Sequence, residues 1–203
     1  MQEAYMVVTG RPNAGKSSLI KRIVGINVVR GKHPGTTRGI STYPLAQNLK
    51  LVDMPGFGSI SYGSKYLAHR LNNQIVNFLQ DQSENIVLAI HVLDISLFLE
   101  VTRRLEKKGI ISVDVEMTQF LAKTMKMFPL VAANKIDKAS PEMITRNLQE
   151  FKARVSSGFS VKIDEHVYPV SMKRGDGLGS LKNAIIRHLT LKGYKTPLKH
   201  STE

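Results

Sequence analysis

The residues with the clearest chemistry are Gly10-Arg11-Pro12-Asn13-Ala14-Gly15-Lys16-Ser17-Ser18-Leu19. They fit G-x-x-x-x-G-K-[ST], a loop whose backbone N–H groups form a concavity for phosphate oxygens at the positive end of a helix. In such a loop Lys16 reaches the β- and γ-phosphates, and the Ser17 hydroxyl ligates Mg²⁺. The context agrees with the pattern. The apolar run Ala4-Tyr5-Met6-Val7-Val8 leads in as a buried strand, and Leu19, Ile20 and Ile23 lead out at helical spacing. A glycine-rich turn without chemistry would need neither flank.

The base is chosen further along. Asn134-Lys135-Ile136-Asp137 follows the apolar run Phe128 to Ala133, so it stands at a strand's carboxyl end, where open α/β sheets bind ligands. A carboxylate there accepts from N1–H and the 2-amino group of guanine. Adenine offers neither, and leaving that carboxylate without donors costs several kcal/mol, about 10⁴ in selectivity. Asp137 is the expected base selector, with Asn134 tying the base loop to the phosphate loop and the Lys135 stem lying over the ring. Alone, the four residues also fit a plain turn before the helix at Pro141; paired with the phosphate loop they do not.

Two further segments face the γ-phosphate. Asp53-Met54-Pro55-Gly56 follows the strand-like Leu49-Lys50-Leu51-Val52. Asp53 there holds Mg²⁺ through a water, and the Gly56 N–H meets the γ-phosphate, at an approach only glycine permits. The loop Pro34-Gly35-Thr36-Thr37-Arg38-Gly39 supplies a second hydroxyl to the metal, Thr37 in preference to Thr36. Both segments are expected to order with the triphosphate and relax after its hydrolysis.

With Ser171-Met172-Lys173 as a fifth element, these runs resemble the G1 to G5 motifs of translation-factor-related GTPases. They look like the Era/EngA/YihA group, and most of all the YihA/EngB family of ribosome-assembly GTPases. The pointers are Asp53-Met54-Pro55-Gly56-Phe57-Gly58, Pro34-Gly35 before the paired threonines, and Lys138 after the base motif. The resemblance covers residues 4 to 190. It implies Mg²⁺-dependent hydrolysis of GTP to GDP and phosphate at a slow intrinsic rate, used as a switch in large-subunit assembly. Lys16, Thr37 and Gly56 are its catalytic residues. It also implies a K⁺ ion held by Asn13 against the phosphates, although Asn13 equally suits turn chemistry. There are departures from the pattern. Met172 stands where a small residue is usual, so its side chain must point away from the guanine O6. Phe57 stands where many GTPases carry a water-orienting Gln. Segment 94–117 is long and charged, which points to an archaeal or otherwise divergent branch. His33 and His69 receive no catalytic role.

These residues need a scaffold. Strands are expected near 4–9, 42–47, 49–53, 86–93, 129–134 and 166–170, and helices near 16–24, 65–81, 97–107, 113–127, 141–156 and 178–191. The alternation predicts a three-layer α/β domain: a six-stranded, mostly parallel sheet with one antiparallel edge strand and helices on both faces. Residues 1–192 form a single G domain, and 193–203 a flexible basic tail. No run of about twenty apolar residues can span a membrane, the first strand leaves no room for a leader, and there are no cysteines. A cytoplasmic monomer is expected.

Charge carries a second message. Twenty-nine Lys and Arg against 16 Asp and Glu leave +13, far more than one nucleotide and its metal require. The surplus recurs at Arg103-Arg104, Lys107-Lys108, Lys123, Lys126, Lys173-Arg174, Lys182, Arg187, Lys192, Lys195 and Lys199. A polyanion is the expected partner, ribosomal RNA or a ribosomal subunit rather than a membrane surface. A basic surface without a dedicated partner is the plainer alternative. Two other functions compete: a nucleotide-sensing binding module with incidental hydrolysis, and an ATP-dependent P-loop kinase, which Asp137 disfavours.

Overall fold

The computed structural model describes residues 3–25, 39–56, 65–195 and 198, with the side chains of 65–72 excepted. Six strands form one sheet in the order β2-β3-β1-β4-β5-β6. They are β1 (Ala4–Gly10), β2 (Ser41–Ala46), β3 (Leu49–Asp53), β4 (Ile86–Asp94), β5 (Leu130–Asn134) and β6 (Val167–Val170). β2 runs antiparallel to β3, joined through Gln47-Asn48, and the remaining pairs are parallel. The fold is therefore the expected one. Its strand order reverses at β1, which sits between β3 and β4, and the crevice beyond that reversal is where such sheets take ligands.

Alternation along β1 explains the layers. Met6 and Val8 face one side and pack with Leu19, Ile20 and Ile23, and with Leu181, Ile185 and Leu189 of α6 (Leu178–Leu191). Val7 faces the other side, against Ile75 and Leu79 of α2 (Lys65–Asp81) and Met117 and Leu121 of α4 (Val113–Met125). Further along that face, α3 (Phe98–Glu106) and α5 (Pro141–Ser156) meet through the perpendicular rings of Phe98 and Phe151, over Val131 and Ala133. Central strands buried on both faces read as unbroken apolar runs, which is how β1, β4 and β5 appear in the sequence.

The helices start and stop for local reasons. Ser140 caps α5 by accepting the Met143 N–H at 3.3 Å, with Pro141 at the first position. α4 ends at Lys126, whose φ of 52° is left-handed. The helix expected over 16–24 is α-helical only in α1 (Lys16–Leu19) and widens to a π-helix over Ile20–Val24. α3 begins later than expected, because Asp94 accepts the Ser96 N–H and hydroxyl and turns Ile95–Leu97 into a 3₁₀ segment first. Within the segment expected to be a tail, Tyr194 and Leu198 pack against the α1–α6 layer. Residues 196–197 and 199–203 lie outside the described set.

Candidate functional site

β1 ends where the phosphate loop begins, and its backbone fixes the loop's entry. Ala14 N–H donates to the Arg11 carbonyl at 3.2 Å, and the Leu19 N–H starts α1 on the Gly15 carbonyl at 2.9 Å. Gly15 has φ +117°, and a Cβ there would lie 2.2 Å from the Asn134 amide nitrogen. The loop closes on itself: Lys16 Nζ donates to the carbonyls of Gly10 and Arg11 at 2.8 and 3.1 Å. Burial pulls Lys16 down to about 8, opposed by the fields of Asp53 and Asp114. Ser17 and Ser18 stand half-buried on α1's first turn, and Asn13 is exposed with φ 62°.

Asp53 reaches the same place from β3. The register pairs it with Val8, and Met54 N–H bonds the Val8 carbonyl at 3.1 Å. The side chain is 2% exposed, and its Oδ1 has no hydrogen-bond partner among the described residues. Burial raises the carboxyl to about 6 despite Lys16 nearby. A buried carboxylate oxygen without a donor suits a hard cation that takes oxygen ligands. Among the described residues there is no group of three or more His, Cys, Asp or Glu placed to hold a metal ion. Mg²⁺ is such a hard cation, and it commonly takes one or two protein ligands with phosphate oxygens and water completing its shell. Pro55 and Gly56 follow, and a Cβ at Gly56 would press within 2.7 Å of the Pro12 ring. Gly39 is half-buried with open space beside it. Gly35, Thr36, Thr37, Arg38 and Phe57 lie outside the described residues, as does His33; His69 is described in its backbone alone.

The base motif is joined to the phosphate loop by one side chain. Asn134, 3% exposed at the end of β5, donates from Nδ2 to the Ala14 carbonyl at 2.7 Å and accepts the Met172 N–H on Oδ1 at 3.0 Å. Those two partners, an acceptor and a donor, also fix which way the amide points. Ser171 Oγ donates to Asp137 Oδ1 at 2.6 Å and accepts the Arg174 N–H at 3.0 Å. That hydroxyl is the main reason the Asp137 carboxyl titrates below its ordinary value, with Lys173 and Arg174 adding to it. Met172 is buried in the α1–α6 core, so its side chain is turned inward under the loop. Its N–H is already committed to Asn134.

Several partners carry no motif. Lys135, at φ 70°, sends its ammonium to Asp94 Oδ2 at 2.5 Å, and Asn147 of α5 anchors the next turn by donating to the Ile95 carbonyl at 2.6 Å. Asp94 closes β4 as Asn134 closes β5, and the two are register partners. Its place at a strand's carboxyl end was the one sequence signal that could have marked it. Arg11 turns its guanidinium away along the loop's flank, to within 3.6 Å of Asp114. Both line a cavity of about 140 Å³ with Asn13, Phe98, Ser112 and Lys135.

Comparison with known proteins gives consistent relatives. A family model described as 50S ribosome-binding GTPase matches residues 5–135. A probable GTP-binding protein EngB of Pyrococcus horikoshii is 40% identical, over 90% of this chain and 82% of its own length. One of Methanopyrus kandleri is 38% identical, over 93% of this chain and 94% of its own. Both are archaeal, the branch to which segment 94–117 pointed. Among solved structures, a crystal structure of a probable GTP-binding protein engB superposes with a TM-score of 0.80 at 34% identity, covering 93% of this chain and 99% of that one.

Proposed function

The chain belongs to the EngB family of P-loop GTPases, and from that footing we propose that it is a Mg²⁺-dependent switch whose GTP cycle times association with the large ribosomal subunit during assembly. The observation that carries the nucleotide reading is Asn134, which bonds the phosphate loop and the fifth motif at once. Those contacts tie the phosphate loop to the base motif, which supports the reading of phosphate and base by one rigid unit.

The motifs assign the roles. Gly10 to Ser18 hold the phosphates by backbone N–H groups, Asp137 selects guanine, and the loop of Ser171, Met172 and Lys173 closes over the base with Lys135 and Ile136. Ser17, Thr37 and Asp53 would hold Mg²⁺, which when bound would supply positive charge against that developing on the phosphates. Lys16 leaves the Gly10 and Arg11 carbonyls for the phosphates. Gly56, with Met54 and Pro55 behind it, presents its N–H to the γ-phosphate, and Gly35 to Gly39 cover it. Water attacks the γ-phosphorus, the bond to the β-bridging oxygen breaks, and GDP and phosphate leave. Phe57 has no group to orient that water, which favours slow hydrolysis and a supporting K⁺ at Asn13. It also gives weight to the second reading, a binding module whose hydrolysis is incidental.

The partner reading rests on charge. Arg103, Arg104, Lys107 and Lys108 form the densest basic group, and among the described residues none of them is in an ion pair, while neighbouring Glu106 is taken by Arg154. No described helix is long and apolar enough to cross a membrane. We read the protein as a cytoplasmic monomer, one G domain over 1–192 with a basic extension, engaging ribosomal RNA.

Co-sedimentation with large ribosomal subunits tests the proposal. Retention is expected with a non-hydrolysable GTP analogue and not with GDP. It should fall between about 50 and 200 mM salt, with a log–log slope of roughly −0.7 to −0.9 per phosphate contact. Reversing Arg103, Arg104, Lys107 and Lys108 to Glu weakens retention and leaves GTP affinity intact. Retention indifferent to nucleotide and salt would sink the switch reading, and ATP displacing labelled GTP would sink the base assignment.

A further inference from the structure

Four polar side chains run in a line beneath the phosphate loop, and three of them belong to no motif. Thr9 precedes Gly10 on β1, and the sheet register sets it beside His91 of β4. Thr9 Oγ1 lies 3.0 Å from His91 Nδ1, and His91 Nε2 lies 3.3 Å from Asp114 Oδ1 in the first turn of α4. Asp114 Oδ2 faces Arg11 Nη1 at 3.6 Å. His91 and Asp114 are 1% and 4% exposed. A buried carboxylate is costly unless its charge is compensated, and here Oδ1 meets the His91 ring while Oδ2 faces the Arg11 guanidinium at ion-pair distance. With Asp114 ionised, His91 carries its proton on Nε2 and donates it to Oδ1, leaving Nδ1 to accept from the Thr9 hydroxyl.

The line therefore has a direction. Thr9 orients His91, His91 fixes the Asp114 rotamer, and the second Asp114 oxygen holds the arginine of the phosphate loop. Thr118 steadies the same helical turn by donating to the Asp114 carbonyl at 2.7 Å. Asp114 also acts on Lys16, whose ammonium its field favours against burial. Both cations of the loop thus feel this carboxylate, Lys16 less than it feels Asp53, and it stands on a helix that contributes no recognised motif. Arg11 is held on the loop's flank, so its part in binding falls to its backbone.

We propose that Asp114 is a positioning residue for nucleotide binding: locked by His91, it fixes the phosphate loop through Arg11, so the start of α4 sets the lifetime of bound nucleotide. This rests on the reading of Gly10 to Ser18 as the phosphate loop. GDP and GTP share the α- and β-phosphates that the loop grips, so loosening it speeds the release of both.

The test is the release rate of fluorescent GDP and of a GTP analogue from the full chain, read with the thermal midpoint of the nucleotide-free protein. Asp114→Asn and Arg11→Met are each expected to speed release about three- to tenfold, and the double variant no more than the faster single one. Arg11→Lys keeps the cation and recovers at least half of the Arg11→Met effect. Single variants without effect, or a double variant equal to the product of the two, overturn the coupling, even if the thermal midpoint falls. Should Asp114→Asn fail to fold, the partly exposed Arg11 still decides through its Met and Lys variants. A wild-type chain that binds no GDP would refute the phosphate-loop reading instead.

Discussion

At the scale of single residues, the proposed base selection depends on one carboxylate and the hydroxyl that aims it. Ser171 donates to Asp137 and keeps it an acceptor at neutral pH. Asp137→Asn replaces one oxygen by a donor, which matches xanthine, whose 2-position is a carbonyl, and opposes guanine. GTP affinity is expected to fall at least about tenfold while XTP binding rises. Titrating both nucleotides against the variant checks this. Unchanged GTP affinity would remove residues 134–137 from the base site. The amide keeps the shape of the carboxylate and its contact with Ser171, so a loss of fold is not the expected reason for the change.

At the scale of elements, the phosphate loop is met from three sides: Asn134 of β5 by a hydrogen bond, Asp53 of β3 by its field on Lys16, and Asp114 of α4 by its ion pair with Arg11. Only the first two were legible in the sequence, because a motif fixes spacing within a segment and says nothing of a side chain arriving from another. His91 and Asp114 look like ordinary residues of a strand and a helix until the register sets Thr9 beside His91 and the start of α4 brings Asp114 between His91 and Arg11. The element order and the antiparallel hairpin were legible, since apolar periodicity and turn residues are local signals. The π-helix after Leu19 was not, because its hydrogen bonds leave no trace in side-chain spacing. Asn13 shows the limit from the other side. Its left-handed φ explains an asparagine there without any ligand. Its exposed side chain, without a hydrogen bond to another described residue, leaves room for an ion. If K⁺ supplies the charge that Phe57 cannot help to stabilise, single-turnover hydrolysis runs faster in K⁺ than in Na⁺ at equal ionic strength, by up to about 10²–10³. Asn13→Ala erases the difference with GDP binding nearly intact. Equal rates in the two salts would leave Asn13 to the turn alone.

At the scale of the whole molecule, the two ends of the sheet do different work. The carboxyl ends of β1, β3 and β5 carry the candidate site, and charges collect there: burial shifts Lys16 down and Asp53 up, and the charge of each opposes the shift of the other. The opposite end holds a pair of histidines with no part in nucleotide chemistry. His166 precedes β6 and lies edge-on to Phe128, while His188 faces it from α6. The Nδ1 atoms of both are buried without a hydrogen-bond partner among the described residues. Burial lowers both pKa values. For His166 the nearness of His188 adds to this and Glu165 opposes it; for His188 the cations Arg187 and Lys192 add to it. Folded, the pair stays neutral at a pH where the unfolded chain, near 6.5, already takes up protons. The unfolded state then binds more protons, so the pair's contribution to stability is full above about 6.5 and is lost as the pH falls through the lower folded values. Asp53 works the other way, since its raised pKa makes the folded state the better proton binder below about 6. A simple acid melt therefore mixes two opposed effects, and the variants must separate them. His166→Gln and His188→Gln keep polar side chains that cannot charge. Relative to the wild type, their thermal midpoints are expected to rise steadily as the pH is taken from 7.5 to about 5.5, whatever the offset at 7.5. A wild-type-to-variant gap that stays constant across that range would show that the pair does not resist protonation in the folded state.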